Sequence, residues 1–511
     1  MGFAHAQDRL FQMNIHRKIP QGKMAELFGE KLVETDKLLR TFGLARSAKE
    51  MEKTLSNEER EYLQAYADGI NSFVEQQYIL PLEFILTGIE FEKWEIYDTL
   101  CFIKLLNFML SLDWRAEMIR TNIQQYYGRN IADYIIPNMG KYMINDVTIM
   151  NEEDLKQMNL YEKFEYEKIV ENEPKNQNIT ISKENMDKII QMKMPNYLHE
   201  LYMTVGGSNA WVISGEHTKS GKPLLSNDPH LEVKIPSIWH ISHLSYYDNT
   251  GKKQIRSGGA MAGGGGVYFS GKSDYFAFGL TTLCADTVDL YYETIDNNKY
   301  LYEEQWHNLT IINEKIKVKG QKDSVDYEVK LTNKGPLLEP EQFKNLDKVV
   351  SWSWAGDSGR DTTYLAVIKL MDAQNLEDIN EGFRQITGPP QAVVYATVDG
   401  DIGFYGTGRI PEKYSIKNKG YILDGTKKIN TWKRYVPKEE QPRLINPKKG
   451  YIVVANNKIA PDDMKNFYTY NMMTTNRAHR IEELILEKIK KGLSIGSQYD
   501  KNTQYLQKLI F

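Results

Sequence analysis

Cysteine is almost absent: Cys101 and Cys284 are the only two in 511 residues. So few provide no disulfide framework and no metal-ligand spacing. An excess of one charge sign is missing too. The 64 Lys and Arg against 68 Asp and Glu leave a net charge of −4 and a pI near 6.2. There is no basic stripe for nucleic acid and no polyacidic tail. No apolar run reaches the roughly eighteen residues that would span a bilayer. Met1-Gly2-Phe3-Ala4-His5 leads straight into an amphipathic helix, with no signal peptide and no Ser/Thr to complete a myristoylation motif. No internal repeat is evident. These absences leave a chain long enough for a large core or for two to three domains.

The texture changes along the chain. Residues 1–130 read as helical. Phe3, Ala6, Leu10, Met13 and Ile15 fall near one face, and a further helix runs from Glu58 to Gln76 before Leu80-Pro81-Leu82 breaks the pattern. Residues 150–200 are charged, poor in aliphatic side chains and weakly periodic, a composition that disfavours a packed core. From Ser208 to about residue 360, short alternating runs between Gly, Asp and Asn turns read as strands, among them Lys315 to Gly320 and Tyr327 to Thr332. A helical pair follows at Thr363 to Met371 and Asn380 to Ile386. A hairpin then joins Ala392 to Ala396 with Ile402 to Tyr405 through Asp399-Gly400-Asp401.

One stretch is organised around a serine. Gly206-Gly207 precede Ser208, Asn209 and the apolar run Trp211-Val212-Ile213. A turn at Ser220-Gly221-Lys222-Pro223 leads to a second run ending in Asn227-Asp228-Pro229-His230. This reads as a β-hairpin whose first strand begins at the serine. A serine hydroxyl is a poor nucleophile unless a base takes its proton, and no G-x-S-x-G elbow surrounds Ser208. Another arrangement exists, in which the chain is cut before Ser208. The freed α-amine, with an ordinary pKa of about 7.7–8.0, then serves as the residue's own base. Gly206-Gly207 suits such a cut because glycine tolerates the backbone conformation it requires. A buried strand serine after a glycine turn is the other reading.

Gly207-Ser208-Asn209-x-Trp211, followed by Asn227-x-Pro229-His230, resembles the start of the β-chain of the penicillin amidase (penicillin acylase) family. Gly2 to Met13, Ala25-Glu26-Leu27-Phe28-Gly29, Ala67-Asp68-Gly69-Ile70-Asn71 and Leu80-Pro81-x-Glu83-Phe84 with Trp94 resemble its α-chain signatures. The resemblance implies an α+β fold: an N-terminal-nucleophile (Ntn) hydrolase αββα four-layer sandwich with a helical α-chain-like region. On this reading residues 1–149 are that region, 150–207 a charged spacer and 208–511 the β-chain-like region. It also implies a precursor matured by autoproteolysis into an α/β heterodimer. The implied activity is hydrolysis of a linear amide, such as the N-acyl side chain of a β-lactam or an acyl-homoserine lactone, with no organic cofactor. Relatives are mostly secreted or periplasmic, while the compartment of this chain is not legible.

The resemblance also assigns residues. The oxyanion donors are the backbone N–H of Thr282, in Gly279-Leu280-Thr281-Thr282, and the side-chain amide of Asn456, in Gly450 to Asn457. Read alone, Asn456 is a turn asparagine. His230 is expected as a partner or tuner of the serine amine, or else as a structural histidine. Arg480, in Arg477-Ala478-His479-Arg480-Ile481, is either a site arginine or part of a solvated helix face. Asp286, the Val288 carbonyl and Asp289, with Glu117, match positions that ligate Ca²⁺ in calcium-binding members. Acidic loop residues are the other reading there. Leu231, Ser270 and Leu280 stand where phenylacetyl-selective enzymes are aromatic or small, so the acyl group is left open.

One motif points elsewhere. Gly266 to Ser273 fits G-x-x-x-x-G-K-[ST], yet a phosphate loop needs a helix after it, and Tyr275 to Gly279 reads as a strand. Family members also carry a further N-terminal segment and a longer C-terminal portion. The expectation is therefore either a fragment or a degenerate relative that serves as a binding module.

Overall fold

The computed structural model describes residues 1–111, 113–136, 147–162, 207–231, 235–338, 348–357, 360–414, 420–461, 463–466 and 473–491. Residues 163–206, most of the expected spacer, lie outside the described residues, as do Gln498-Tyr499-Asp500.

The helical expectation for the first part of the chain agrees with the structure. Helices α1 (Gly2–Lys18), α2 (Asn57–Glu75), α3 (Ile96–Met109) and α4 (Asp113–Tyr127) dominate it. Ser56 caps α2: its side chain accepts from the Glu59 N–H while the Glu59 carboxylate accepts from the Ser56 N–H. The glycines of two α-chain signatures let α1 and α2 meet backbone to backbone. A Cβ on Gly2 would lie 2.0 Å from the Tyr66 carbonyl oxygen, and one on Gly69 3.0 Å from the Phe3 nitrogen. Asn71 accepts from the Trp94 N–H at 2.8 Å and donates to its carbonyl at 3.0 Å, tying two further signature residues together. Helix α3 is apolar nearly all round and therefore buried. Its one lysine, Lys104, is buried with it and donates to Asp361 Oδ2 at 3.1 Å.

The strands begin with β1 (Gly207–Ile213) and β2 (Leu224–His230), the hairpin expected around the serine, with Ser208 opposite Pro229. There follow β3 (Trp239–Tyr247), β4 (Lys253–Met261), β5 (Tyr268–Lys272), β6 (Phe276–Thr282) and β7 (Val288–Tyr292). After helices α5 (Thr363–Asp372) and α6 (Leu376–Gln385) come β8 (Gln391–Thr397), β9 (Ile402–Gly406), β10 (Pro411–Lys413), β11 (Trp432–Tyr435), β12 (Arg443–Ile445) and β13 (Tyr451–Val454). Helix α7 (Asn476–Lys490) closes the described chain.

Side-chain alternation stacks these elements into layers. Strand β1 is the middle of a three-stranded sheet, β2-β1-β13, and is buried at all its positions. Its Trp211 and Ile213 pack outward on Ala478, Ile481 and Ile485 of α7. Its Ala210 and Val212 pack inward on Ala392 and Val394 of β8 and Phe404 of β9. Those strands belong to a seven-stranded sheet, β12-β9-β8-β6-β5-β4-β3. The alternate residues of β8, Val393 and Tyr395, face the other way and meet Leu370 of α5 and Phe383 of α6. The order helix, sheet, sheet, helix is the αββα arrangement, and the α+β expectation holds.

One strand reading needs correction. The strand expected from Lys315 to Gly320 lies earlier, at Thr310–Ile316, because its pairing with Val325–Thr332 runs back to Thr310 opposite Leu331. The strand expected after Ser273 is present as β6, so the Gly266 to Ser273 pattern lacks the helix a phosphate loop needs. Gly271 serves strand packing instead, since a Cβ there would lie 2.4 Å from the Ser257 carbonyl oxygen. Among the described residues no helix is long and apolar enough to cross a membrane.

The two sheets come close where Asn227 of β2 meets β6. Its Nδ2 donates to the Asn209 and Leu280 carbonyls at 3.0 and 2.9 Å, and its Oδ1 accepts from the Leu280 N–H at 3.3 Å. A Cβ on Gly279 would come 2.5 Å from Asn227 Cβ. Gly279→Val is therefore expected to cost about 1–3 kcal/mol through overpacking, read as a lower urea-unfolding midpoint.

Candidate active site

Strand β1 outruns one of its neighbours. It pairs with β2 along its whole length, but with β13 only from Ala210 to Ile213. The N–H and carbonyl of Ser208 on the β13 side thus lack a ladder partner in a buried place, and buried backbone groups need one. Two side chains provide it. Asn456 Oδ1 accepts from the Ser208 N–H at 2.7 Å, and Arg477 Nη1 donates to the Ser208 carbonyl at 2.6 Å.

Asn456 stands just beyond β13 with a φ of 60°, a left-handed conformation that asparagine tolerates. Its Nδ2 donates to the Thr282 carbonyl at the end of β6, at 2.9 Å. One amide thus links the start of β1 to the end of β6, in the other sheet. Arg477, the second residue of α7, reaches further. Its Nη1 also donates to Asn209 Oδ1 at 2.7 Å, and its Nη2 to the Ala455 carbonyl at 2.9 Å and to Asn456 Oδ1 at 3.1 Å. Burial pulls the guanidinium pKa down, opposed by the carboxylate of Asp228, and the group stays charged. Gly207, with a φ of 110°, leaves room for it: a Cβ there would meet Arg477 Nη2 at 2.8 Å.

His230 lies opposite Gly207 in the hairpin, with Nε2 2.6 Å from Asp228 Oδ2 and 3.3 Å from Asn209 Nδ2. A continuous polar chain thus runs from Asp228 through His230, Asn209 and Arg477 to Asn456 and Ser208. Beside Ser208 opens an apolar pocket walled by Leu231, Trp239, Met261, Phe269, Phe278 and Leu280, with Thr282 at its edge. Ser270, expected with Leu231 and Leu280, instead turns its hydroxyl to the Phe278 carbonyl.

The structure therefore brings together Ser208, His230, Thr282 and Asn456. It does not bring Arg480 to them: Arg480 is exposed and pairs with Glu483 at 2.9 Å. The arginine at the site is Arg477. A signal for it existed in the sequence. The buried stripe of α7 is Ala478, Ile481 and Ile485, and one turn back from Ile481 that stripe reaches residue 477, not 480.

The residues expected to hold calcium also converge. Oxygens of Glu117, Asp286 and Asp289, all buried, lie within 4.8 Å of one another, and Val288 stands between the aspartates with its side chain in the core. The Nζ of Lys413 bonds both Asp286 Oδ2 and Asp289 Oδ1, at 2.5 and 2.6 Å. A calcium ion shared by the same two oxygens at about 2.3–2.6 Å would crowd this ammonium nitrogen, which already bonds both. In this arrangement the residues do not fit a metal ion.

Truncating Arg477 strips donors from buried acceptors, whereas Arg480 makes only a surface pair. Arg477→Ala is expected to lower unfolding free energy by about 2–3 kcal/mol, and Arg480→Ala by less than about 0.5 kcal/mol, measured by urea denaturation.

Curated relatives cover this whole arrangement. An acyl-homoserine lactone acylase from Pseudomonas aeruginosa is 26% identical across 100% of this chain and 58% of its own length. A penicillin acylase 2 proenzyme from Pseudomonas sp. (strain SE83) is 24% identical across 95% of this chain and 59% of its own length. A penicillin G acylase from Escherichia coli is 26% identical across 95% of this chain and 60% of its own length. The chain thus spans less than two thirds of the length of these relatives. A solved structure of a thermostable penicillin G acylase from Alcaligenes faecalis aligns with a TM-score of 0.49 and 20% identity, over 58% of this chain and 52% of that one. The penicillin amidase family pattern matches residues 1–509, and with the serine hairpin and its partners inside that span, the chain belongs to the penicillin amidase family.

Proposed function

We propose that this chain forms the catalytic part of an amide-cleaving acylase whose nucleophile is Ser208, freed as an N-terminus by self-cleavage. The observation that carries the reading is the double role of Asn456. It holds the Ser208 N–H and the end of β6 at the edge of an apolar pocket.

In maturation Ser208 Oγ adds to the Gly207 carbonyl carbon and the 207–208 C–N bond breaks. The Gly207 acyl group then sits as an ester on Oγ, and the α-amine is released. Water hydrolyses that ester, returning the hydroxyl and leaving a carboxylate on Gly207. The amine keeps a hydrogen bond to Asn456 Oδ1, which leaves its lone pair for the Oγ proton.

In turnover the amine takes the Oγ proton as Oγ attacks the substrate carbonyl. The oxyanion is met by the Thr282 N–H and by Asn456, whose Nδ2 has a second hydrogen beyond the one given to Thr282. The proton passes to the leaving amine, and water then clears the acyl ester. His230 and Arg477 act as positioning residues through Asn209 and Asn456. The apolar wall favours an apolar acyl group, so acyl-homoserine lactones and N-acyl β-lactams, the substrate classes named for relatives, are the first amides to screen.

Intact-mass analysis with N-terminal sequencing tests the reading. The chain is expected to yield a fragment beginning at Ser208, while Ser208→Ala stays in one piece. An uncut chain in both would overturn the proposal and favour a binding role. Because the base is a free amine, protonation removes it. In the processed chain kcat/KM for a chromogenic amide is expected to fall about tenfold per pH unit below the amine's pKa, near 7.7–8.0.

A further inference from the structure

The lysine among the three carboxylates is built into the fold. β10 and β11 form a two-stranded ribbon in which Lys413 lies opposite Trp432. Both side chains point at the same aspartate. Lys413 Nζ bonds Asp286 and Asp289, and Trp432 Nε1 donates to the other oxygen of Asp289. Helix α4 contributes Glu117, whose Oε2 also accepts from the Leu290 N–H of β7 at 3.1 Å. The side chains of Lys413, Asp286 and Asp289 are between 2% and 4% exposed. Buried carboxylates this close repel one another and lose their hydration, so the cage needs a cation. An ammonium group on a covalent tether already sits within bonding distance of one oxygen of each aspartate, where a shared cation would bind.

We propose that the ammonium group of Lys413 is the resident cation of this cage, and that the chain folds with no metal ion there. A lysine normally loses its proton more readily when buried. Here that effect is outweighed by the attraction of Asp286, Asp289 and Glu117, which holds the pKa above its ordinary value. The tether also does what a free ion cannot, fixing the β10–β11 ribbon to β7 and α4. The cage lies just past Thr282 in the chain, and its occupancy is independent of whether Ser208 is a nucleophile.

The cage also predicts what happens without the lysine. Asp286 Oδ1 has no hydrogen-bond donor among the described residues. Lys413→Met would strip the ammonium from Asp286 Oδ2 as well, leaving three carboxylates around a vacant centre that suits a hard divalent ion.

The test is metal content and thermal unfolding of the purified chain beside Lys413→Met. Each protein is incubated with millimolar calcium, desalted and assayed for calcium. Each is then melted with calcium and with EDTA. The wild type is expected to carry far less than one calcium per chain and to melt at a temperature that neither calcium nor EDTA moves. Lys413→Met is expected to melt lower and to regain about 5 °C with calcium. One calcium per wild-type chain, or a wild-type melting point lowered by EDTA, would overturn the proposal. So would a folded Lys413→Met that melts as the wild type does and ignores calcium. Should Lys413→Met fail to fold, the two wild-type measurements decide alone.

Discussion

A strand buried on both faces has no water to complete its hydrogen bonds. That constraint governs the start of β1. Its ladder to β13 ends at Ala210, and two backbone groups of Ser208 remain to be satisfied. Asn456 and Arg477 satisfy them from different elements, one beyond β13 and one at the head of α7. The same contacts fix Ser208 at the edge of the pocket, so the groups that make the fold permissible also give the candidate site its geometry.

The inter-sheet core sets how much freedom remains. Small residues, Ala210 on β1 and Ala392 on β8, and a glycine at 279 let the two sheets close upon Asn227. That closeness brings the end of β6 within reach of Asn456. Although Thr281 Oγ1 finds no partner among the described residues, several polar groups here are exchanged between sheets. Asn209 illustrates this: its carbonyl goes to Asn227, its Oδ1 to Arg477 and its Nδ2 to His230. A partly satisfied network in so dry a place would be costly.

The lysine cage does for the periphery what the asparagine does for the centre. Helix α4, strand β7 and the β10–β11 ribbon converge on charges that must be neutralised together, and Lys413 does so from within the chain. The buried pair of Lys104 and Asp361 repeats the principle, tying apolar α3 to the segment leading into α5.

Much of this was legible in the sequence. Alternation and turn residues located the serine hairpin, the 392–405 hairpin and the helical pair before it, because those signals are local. The glycines and Asn71 of the helical signatures were recognisable as motifs, though not as backbone contacts. The absence of a helix after Ser273 was also readable, and it disposed of the phosphate loop. Three things were not decided locally. The apolar stripe Ala478, Ile481 and Ile485 put Arg477 rather than Arg480 beside the buried face of α7, but what that arginine meets was set only when the helix docked on β1. The strand at Thr310–Ile316 starts earlier than its composition suggested because a partner strand set its length. Lys413 reaches Asp286 and Asp289 across more than a hundred residues of chain, and nothing in Pro411-Glu412-Lys413 marks it. Sequence determined the elements and the family, since periodicity and motif spacing are properties of neighbours in the chain. Tertiary structure decided which charges share a cavity, since that depends on neighbours in space.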